Sequence, residues 1–85
     1  MRSAQVVVGT TATLLVDSDN INRNVHVHVI SNTSVYLGGP TVSTTTGFLL
    51  EKDDGASVIE IPINEKLYAV VATGTETVSV LLPDA

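Results

Sequence analysis

Two histidines separated by one residue are the side chains of this chain with the clearest capacity for chemistry. His26 and His28 lie in NVHVHVIS, residues 24–31, which alternates as a β-strand does. Residues two apart on a strand share a face, so both imidazoles would project from the same side. That spacing can chelate a transition metal, with a third ligand supplied by a symmetry-related copy.

The residues around the pair do not complete such a site. The chain has no Cys, and neither Asp nor Glu lies in the same segment. We therefore interpret His26 and His28 as surface or interface histidines on the strand face opposite the valines. The sequence predicts no metal and no cofactor, and a metal- or ligand-binding domain that uses the two histidines is kept as an alternative.

The acidic segment DSDN, residues 17–20, has the alternating oxygens of a calcium loop. An EF-hand loop also needs Gly at its sixth position and Glu at its twelfth. Counted from Asp17, those positions are Asn22 and His28, so the match fails. Asp and Asn side chains favour turns by bonding nearby backbone, and we predict a loop over residues 16–24.

Ser and Thr cluster in GTTAT, STTTG and TGTET. A nucleophilic hydroxyl needs an activating base that a third group orients. The natural bases are the two histidines, and nothing in the sequence marks a partner for either. The GGP of residues 38–40 is not a phosphate loop, because no Lys-Ser or Lys-Thr follows it. We predict no catalytic residues and a protein that is not an enzyme.

The charge balance disfavours two classes of partner. Nine acidic residues against four basic ones give a net charge of −5, and no basic cluster occurs. Nucleic acids and anionic membranes both require grouped Lys and Arg. Apolar runs fall far short of the ~20 residues that a membrane helix needs. The start, MRSAQVVVGTT, turns polar too early for a signal peptide, so we expect synthesis in the cytosol.

Composition and alternation together predict an all-β fold. Fourteen Val, five Ile and eleven Thr make the chain rich in β-branched residues, which suit a pleated sheet. Short period-two runs between turn residues predict a single domain over residues 1–85, a small antiparallel β-sandwich or barrel of about seven or eight strands. The predicted strands are residues 5–9, 12–16, 24–31, 34–38, 41–50, 57–63, 66–73 and 76–82.

Turn residues mark the breaks between these strands. Gly38-Gly39-Pro40 should turn the chain sharply, and a kink is expected near Gly47, with the Thr run forming an exposed or subunit-facing strand. Asp54-Gly55 is a tight-hairpin dipeptide. Pro62 suggests an edge or the end of a strand.

Alternation also predicts which residues form the core. In SVIEIPI, Val58 and Glu60 should share the wetter face. Residues 1–8 should form an edge strand that pairs with VSVLL at the other end, or else add to the sheet of a neighbour. The predicted core residues are Val25, Val27, Val29, Tyr36, Leu37, Ile59, Ile61, Leu67, Val70, Val78 and Val80.

Two longer spacings resemble a known group of proteins. The first is N-x-x-x-VYLGG-x-x-V-x-x-x-x-G-x-x-L, carried by Asn32, Val35, Tyr36, Leu37, Gly38, Gly39, Val42, Gly47 and Leu50. The second is LYA-x-x-x-x-G-x-x-x-V-x-V, carried by Leu67, Tyr68, Ala69, Gly74, Val78 and Val80. Together they resemble small all-β virion proteins of tailed bacteriophages, of the head-decoration and head-fibre-base type, over roughly residues 25–82.

The resemblance implies a function that the residues alone do not. It implies a structural protein on the exterior of the virion capsid, bound to the major capsid protein and made in the host cytoplasm. The longer C-terminal extension of a fibre is absent, which favours a stand-alone decoration protein over a tail- or fibre-associated adhesion or receptor-binding module. A domain this small and without disulfides gains from a shared interface, so we expect a homo-oligomer, with a trimer favoured.

Overall fold

A computed structural model describes residues 2–30, 33–51 and 57–82, and within these ranges every regular element is a strand. The prediction of an all-β sandwich is therefore confirmed. The eight strands are β1 (Arg2–Val8), β2 (Thr13–Val16), β3 (Arg23–Val29), β4 (Val35–Gly38), β5 (Phe48–Leu50), β6 (Ser57–Ile61), β7 (Leu67–Val70) and β8 (Glu76–Leu82).

The strands pair as a nested set. The first strand, β1, pairs with the last, β8, and then β2 with β7, β3 with β6 and β4 with β5, all antiparallel. Two further pairings, β3 with β8 and β4 with β7, join these strand pairs into two four-stranded sheets. We call these sheet A, with the order β1-β8-β3-β6, and sheet B, with the order β2-β7-β4-β5. This is the jelly-roll arrangement, which the sequence did not predict.

The core lies between the inner faces of the two sheets. Strand β3 places Val25, Val27 and Val29 there with no exposed surface, and β8 adds Val78 and Val80 beside them. Burying one such side chain contributes roughly 1.5–3 kcal/mol, so the alternation of β3 and β8 accounts for much of the stability. The remaining members of the buried cluster are Val8, Leu15, Val16, Val35, Leu37, Leu50, Ile61, Leu67, Ala69, Val71 and Leu82.

Most predicted core positions are confirmed, and one is wrong. Tyr36 is only partly buried, because its neighbours Val35 and Leu37 both face the core and a strand alternates. Val70 is buried on the outer side of sheet B, and Ile59 is partly buried against the core.

Both edge strands of sheet A, β1 and β6, agree with prediction. Strand β1 pairs with β8 in the register Val6 to Val78, so the first residues belong to their own sandwich. Strand β6 is the opposite edge and ends at Ile61, immediately before Pro62. Val58 on β6 is exposed and Ile61 is buried, as their alternation predicts. The Asp54-Gly55 turn and Asn32 lie outside the described residues.

The Thr run after β4 is not a strand, and that prediction is wrong. The Val42 N–H donates to the Gly39 carbonyl at 3.0 Å, and the Gly47 N–H donates to the Ser43 carbonyl at 2.8 Å. The Ser43 hydroxyl lies 3.0 Å from the hydroxyls of both Thr45 and Thr46. Local bonding by Ser and Thr competes with the sheet ladder, so residues 39–47 form two turns and β5 begins only at Phe48.

This double turn folds back over the outer face of sheet B. A Cβ atom on Gly47 would lie 2.6 Å from Cβ of Tyr36 and 2.9 Å from Cγ2 of Val42. Tyr36 is paired directly with Val70, which is only 4% exposed although it points away from the core. The turn therefore lies over an apolar contact between Tyr36 and Val70, outside the main core. Its close approach to Tyr36 requires glycine at position 47.

We expect Gly47→Ala to lower the free energy of unfolding by roughly 1–3 kcal/mol, because the added methyl overlaps Tyr36 and the Ser43 carbonyl. Chemical denaturation of both proteins measures this difference. Gly39→Ala is the matched control, since a Cβ there meets no atom within 4 Å. Equal losses for the two substitutions would contradict the close-approach explanation.

Candidate functional surfaces

His26 and His28 lie side by side on the outer face of sheet A, as predicted. His26 is exposed and His28 is partly buried, while the alternating valines of β3 face the core. Across the ladder His26 is opposite Leu81 and His28 is opposite Ser79. The next strand places Ser3 beside Leu81 and Gln5 beside Ser79, and this row of side chains lines a shallow cleft of about 490 Å³.

This cleft holds polar groups without a complete catalytic or metal constellation. Nδ1 of His28 is buried and has no hydrogen-bond partner among the described residues. Ser79 stands opposite it, and no hydrogen bond joins the two within the same ranges. Where the chain is described, no three His, Cys, Asp or Glu side chains come close enough to hold a metal ion. The sequence-based expectations of no metal and no catalysis stay predictions.

The acidic segment that begins at Asp17 bonds to backbone. Oδ1 of Asp17 accepts a hydrogen bond from the Ser18 N–H at 2.7 Å, and Oδ1 of Asp19 accepts one from the Asn20 N–H at 2.7 Å. The Asn64 N–H donates to the Asp19 carbonyl at 2.8 Å. These bonds confirm a loop here and tie it to the turn between β6 and β7, although the loop spans residues 17–22 and not the predicted 16–24.

Arg23 is a buried charge that the sequence analysis did not single out. Its side chain is only 4% exposed, and it lies on the same face of β3 as Val25. Nη1 donates to the Asp17 carbonyl at 2.8 Å and Nη2 donates to the Glu65 carbonyl at 3.3 Å. One guanidinium therefore joins the β2–β3 and β6–β7 loops at this end of the sandwich. Its position at the start of an alternating run was the available signal.

Glu76 has the corresponding role at the opposite end. It is 2% exposed and shares the inner face of β8 with Val78. Oε1 accepts a hydrogen bond from the Thr33 N–H at 3.1 Å, and Oε2 accepts one from the Thr77 N–H at 2.8 Å. The carboxylate thus fixes the loop that leads into β4. Both buried charges serve loop backbone, so the geometry assigns them structural roles.

Two of the three Thr clusters lie away from the histidines, whereas Thr77 of TGTET shares the outer face of β8 with Ser79, which is opposite His28. Thr10 and Thr11 follow β1 and, together with residues 40–44 of the double turn and residues 70–72, line a cleft of about 440 Å³. This cleft lies beside sheet B, whereas His26 and His28 are on the outer face of sheet A. The structure therefore does not bring the hydroxyls of GTTAT and STTTG to the histidines.

An apolar groove opens between the edge strands β5 and β6. It has a volume of about 570 Å³ and is lined by Leu37, Gly38, Phe48, Ser57, Val58, Ile59 and Leu67. Phe48 is 72% exposed and Val58 is 60% exposed. Contiguous apolar surface of this kind marks contact sites on soluble proteins. The sequence analysis missed the groove. It forms between strands that are separate in the chain, and neither Phe48 nor Val58 by itself indicates an exposed contact surface.

Comparison with protein-family models, with curated proteins and with solved structures finds no match to this chain. The described part of the chain contains no helix long and apolar enough to cross a membrane.

We expect the double variant His26→Ala with His28→Ala to melt at the same temperature as the parent protein, with chelator and without it. A structural metal would stabilise the folded state in proportion to its binding, and the pair lacks a third ligand within the described residues. Differential scanning calorimetry checks this. A large chelator-dependent fall in the melting temperature of the parent would contradict it.

We expect Arg23→Met to lower the free energy of unfolding by about 1.5–3 kcal/mol, because two hydrogen bonds from a charged donor are lost. Denaturant titration measures the change. Lys66→Met is the matched control, since its ammonium lies 3.8 Å from the exposed Asp17 carboxylate and such surface pairs contribute roughly 0–1 kcal/mol. A loss as small as that of the control would remove the loop-joining role of Arg23.

Proposed function

We propose that this protein is a structural, non-enzymatic component of a tailed-bacteriophage virion that decorates and stabilises the outside of the capsid. The observation that carries the proposal is the pair of spacings VYLGG-x-x-V-x-x-x-x-G-x-x-L and LYA-x-x-x-x-G-x-x-x-V-x-V. In the resembling proteins these spacings accompany a small all-β virion domain of the head-decoration or head-fibre-base type, and some related domains lie in tail parts.

The positions of these residues in the fold support the resemblance. Val42 packs against the site of Gly38, where a Cβ would lie 2.9 Å from its Cγ2, and Gly47 closes the same double turn. In the second spacing, Ala69 and Val78 are fully buried. Several residues of the two spacings are therefore buried or closely packed in this sandwich.

The jelly-roll order by itself does not choose a function. It occurs in viral capsid domains, lectins and cupins, and a fold hosts many unrelated activities. The decoration role depends on the residue spacings, with the fold as their physical context.

The surface chemistry indicates how such a protein would attach. With a net charge of −5, long-range attraction to an acidic capsid exterior is not the driving force. Apolar and main-chain contacts must supply the binding, and the exposed side chains of Val7, Phe48 and Val58 are available for them. The partner is the major capsid protein.

We further propose a trimer seated at local threefold positions between capsomers. Each small domain offers a modest contact area, so linked copies gain affinity through effective concentration. The assembly would be made in the host cytoplasm and would add to the capsid exterior.

Copy number in purified virions tests the role. We expect quantitative mass spectrometry to find many copies of the protein in a fixed ratio to the major capsid protein, because decoration follows the capsid lattice. A few copies per particle, with density confined to the tail in a reconstruction, would refute decoration and favour the adhesion or receptor-binding module.

A further inference from the structure

The histidine pair of β3 has no part in the proposed function. His26 is exposed, His28 is partly buried, and both lie on the outer face of sheet A. The chain has two histidines and no cysteine, so a site with an imidazole ligand must use one or both of them. The pair is therefore the place at which this protein can bind a transition metal from solution.

The strand holds the two imidazoles at a chelating spacing. Successive residues of a strand rise by about 3.3 Å, so residues two apart are separated by roughly 6.7 Å and project from the same face. An imidazole nitrogen binds a metal such as zinc at about 2.0–2.1 Å. Two neighbouring rings can converge on one ion at that distance. Their positions are fixed in advance, because the buried valines of β3 hold its other face in the core.

The cleft beside the pair leaves room for an ion. Nδ1 of His28 is buried and has no hydrogen-bond partner among the described residues, so Nε2 is the nitrogen of this ring that a metal can reach. The cleft has a volume of about 490 Å³, and the short side chains of Ser3 and Ser79 line it together with both histidines. A hydrated ion therefore fits in front of the two rings.

The charges on this face favour a cation. Among the described strand residues, Arg2 and Arg23 alternate onto the inner face of sheet A, and its outer face carries neither Lys nor Arg. Glu60 shares the outer face and pairs with Asn24, two residues before His26. The net charge of the chain is −5. Coulomb attraction therefore brings a divalent cation toward the pair.

The ligand set selects the class of metal. Two imidazoles with water in the remaining positions suit the tetragonal geometry of Cu²⁺ or Ni²⁺, and Cu²⁺ binds nitrogen ligands most tightly in the first-row series. A structural zinc site needs four protein ligands, and Ca²⁺ and Mg²⁺ prefer oxygen.

We propose that His26 and His28 of a single chain form an exchangeable chelate for Cu²⁺ or Ni²⁺, with water completing the coordination. The ion is taken from solution and has no part in folding. The melting temperature of metal-free protein is therefore the same with chelator and without it, as expected above for a protein without a structural metal. Neither the decoration role nor the trimer is needed for this site.

Calorimetric titration of untagged, metal-free protein with Cu²⁺ tests the chelate. We expect one Cu²⁺ per chain. Each of His26→Ala and His28→Ala should weaken binding at least about tenfold, because the second ring binds at a high effective concentration, and the double variant should lose the site. Asn24→Ala is the matched control, since Asn24 is exposed on the same face of β3 and should leave the affinity unchanged.

Two spectroscopic measurements locate the ion. Electron paramagnetic resonance should show Cu²⁺ coupled to two imidazole nitrogens. In nuclear magnetic resonance spectra, Cu²⁺ should broaden the amide signals of Gln5, Ser79 and Leu81, which surround the pair, and spare Thr41 beside sheet B. Excess Cu²⁺ should also raise the melting temperature of the parent protein and not that of the double variant.

Three results would overturn the proposal. One is a double variant that binds Cu²⁺ as tightly as the parent protein. Another is broadening centred on Asp17 and Asp19, which would assign the ion to the acidic loop. The third is half a Cu²⁺ per chain together with a sedimenting dimer, which would show that two copies share the ion. All of these measurements are made without phage heads, so their outcome is separate from that of the decoration test.

Discussion

The burial of one face of β3 is the contact on which the rest of the sandwich depends. Val25, Val27 and Val29 are fully buried. In sheet A, β3 pairs with β6 on one side and on the other with β8, which in turn pairs with β1. The chain has no disulfide to limit the entropy of the unfolded state, so burial of branched side chains must offset a conformational cost of roughly 1–2 kcal/mol per backbone residue. Nested antiparallel pairing allows this, because successive pairs alternate between the sheets: β1–β8 and β3–β6 lie in sheet A, and β2–β7 and β4–β5 lie in sheet B.

A core of this kind has two open ends, and the protein closes each with a buried charge. Arg23 donates to carbonyls of two loops at one end, and Glu76 accepts N–H groups near β4 and β8 at the other. Charged groups make stronger hydrogen bonds than neutral ones, and each of these side chains bonds two backbone groups at once. The loops are thus fixed by side chains that start strands β3 and β8.

The sides of the sandwich differ from its ends. On the outer face of sheet B, the double turn of residues 39–47 covers Val70 and lies against Tyr36. Between β5 and β6, Phe48 and the neighbouring groove are exposed in the isolated chain. A domain of 85 residues buries a limited share of its surface, and an interface between copies would bury more.

The sequence by itself determined the class of fold and the faces of its long strands. Period-two alternation is a property of each segment, so the buried faces of β3 and β8, the exposed Val58 and the paired histidines were all predictable. Tertiary structure alone decided the jelly-roll order, the burial of Arg23 and Glu76, and the apolar groove, because each depends on segments far apart in the chain. It also decided the turns after Gly39, where Ser and Thr hydroxyls bond locally and overcome a strand-like composition.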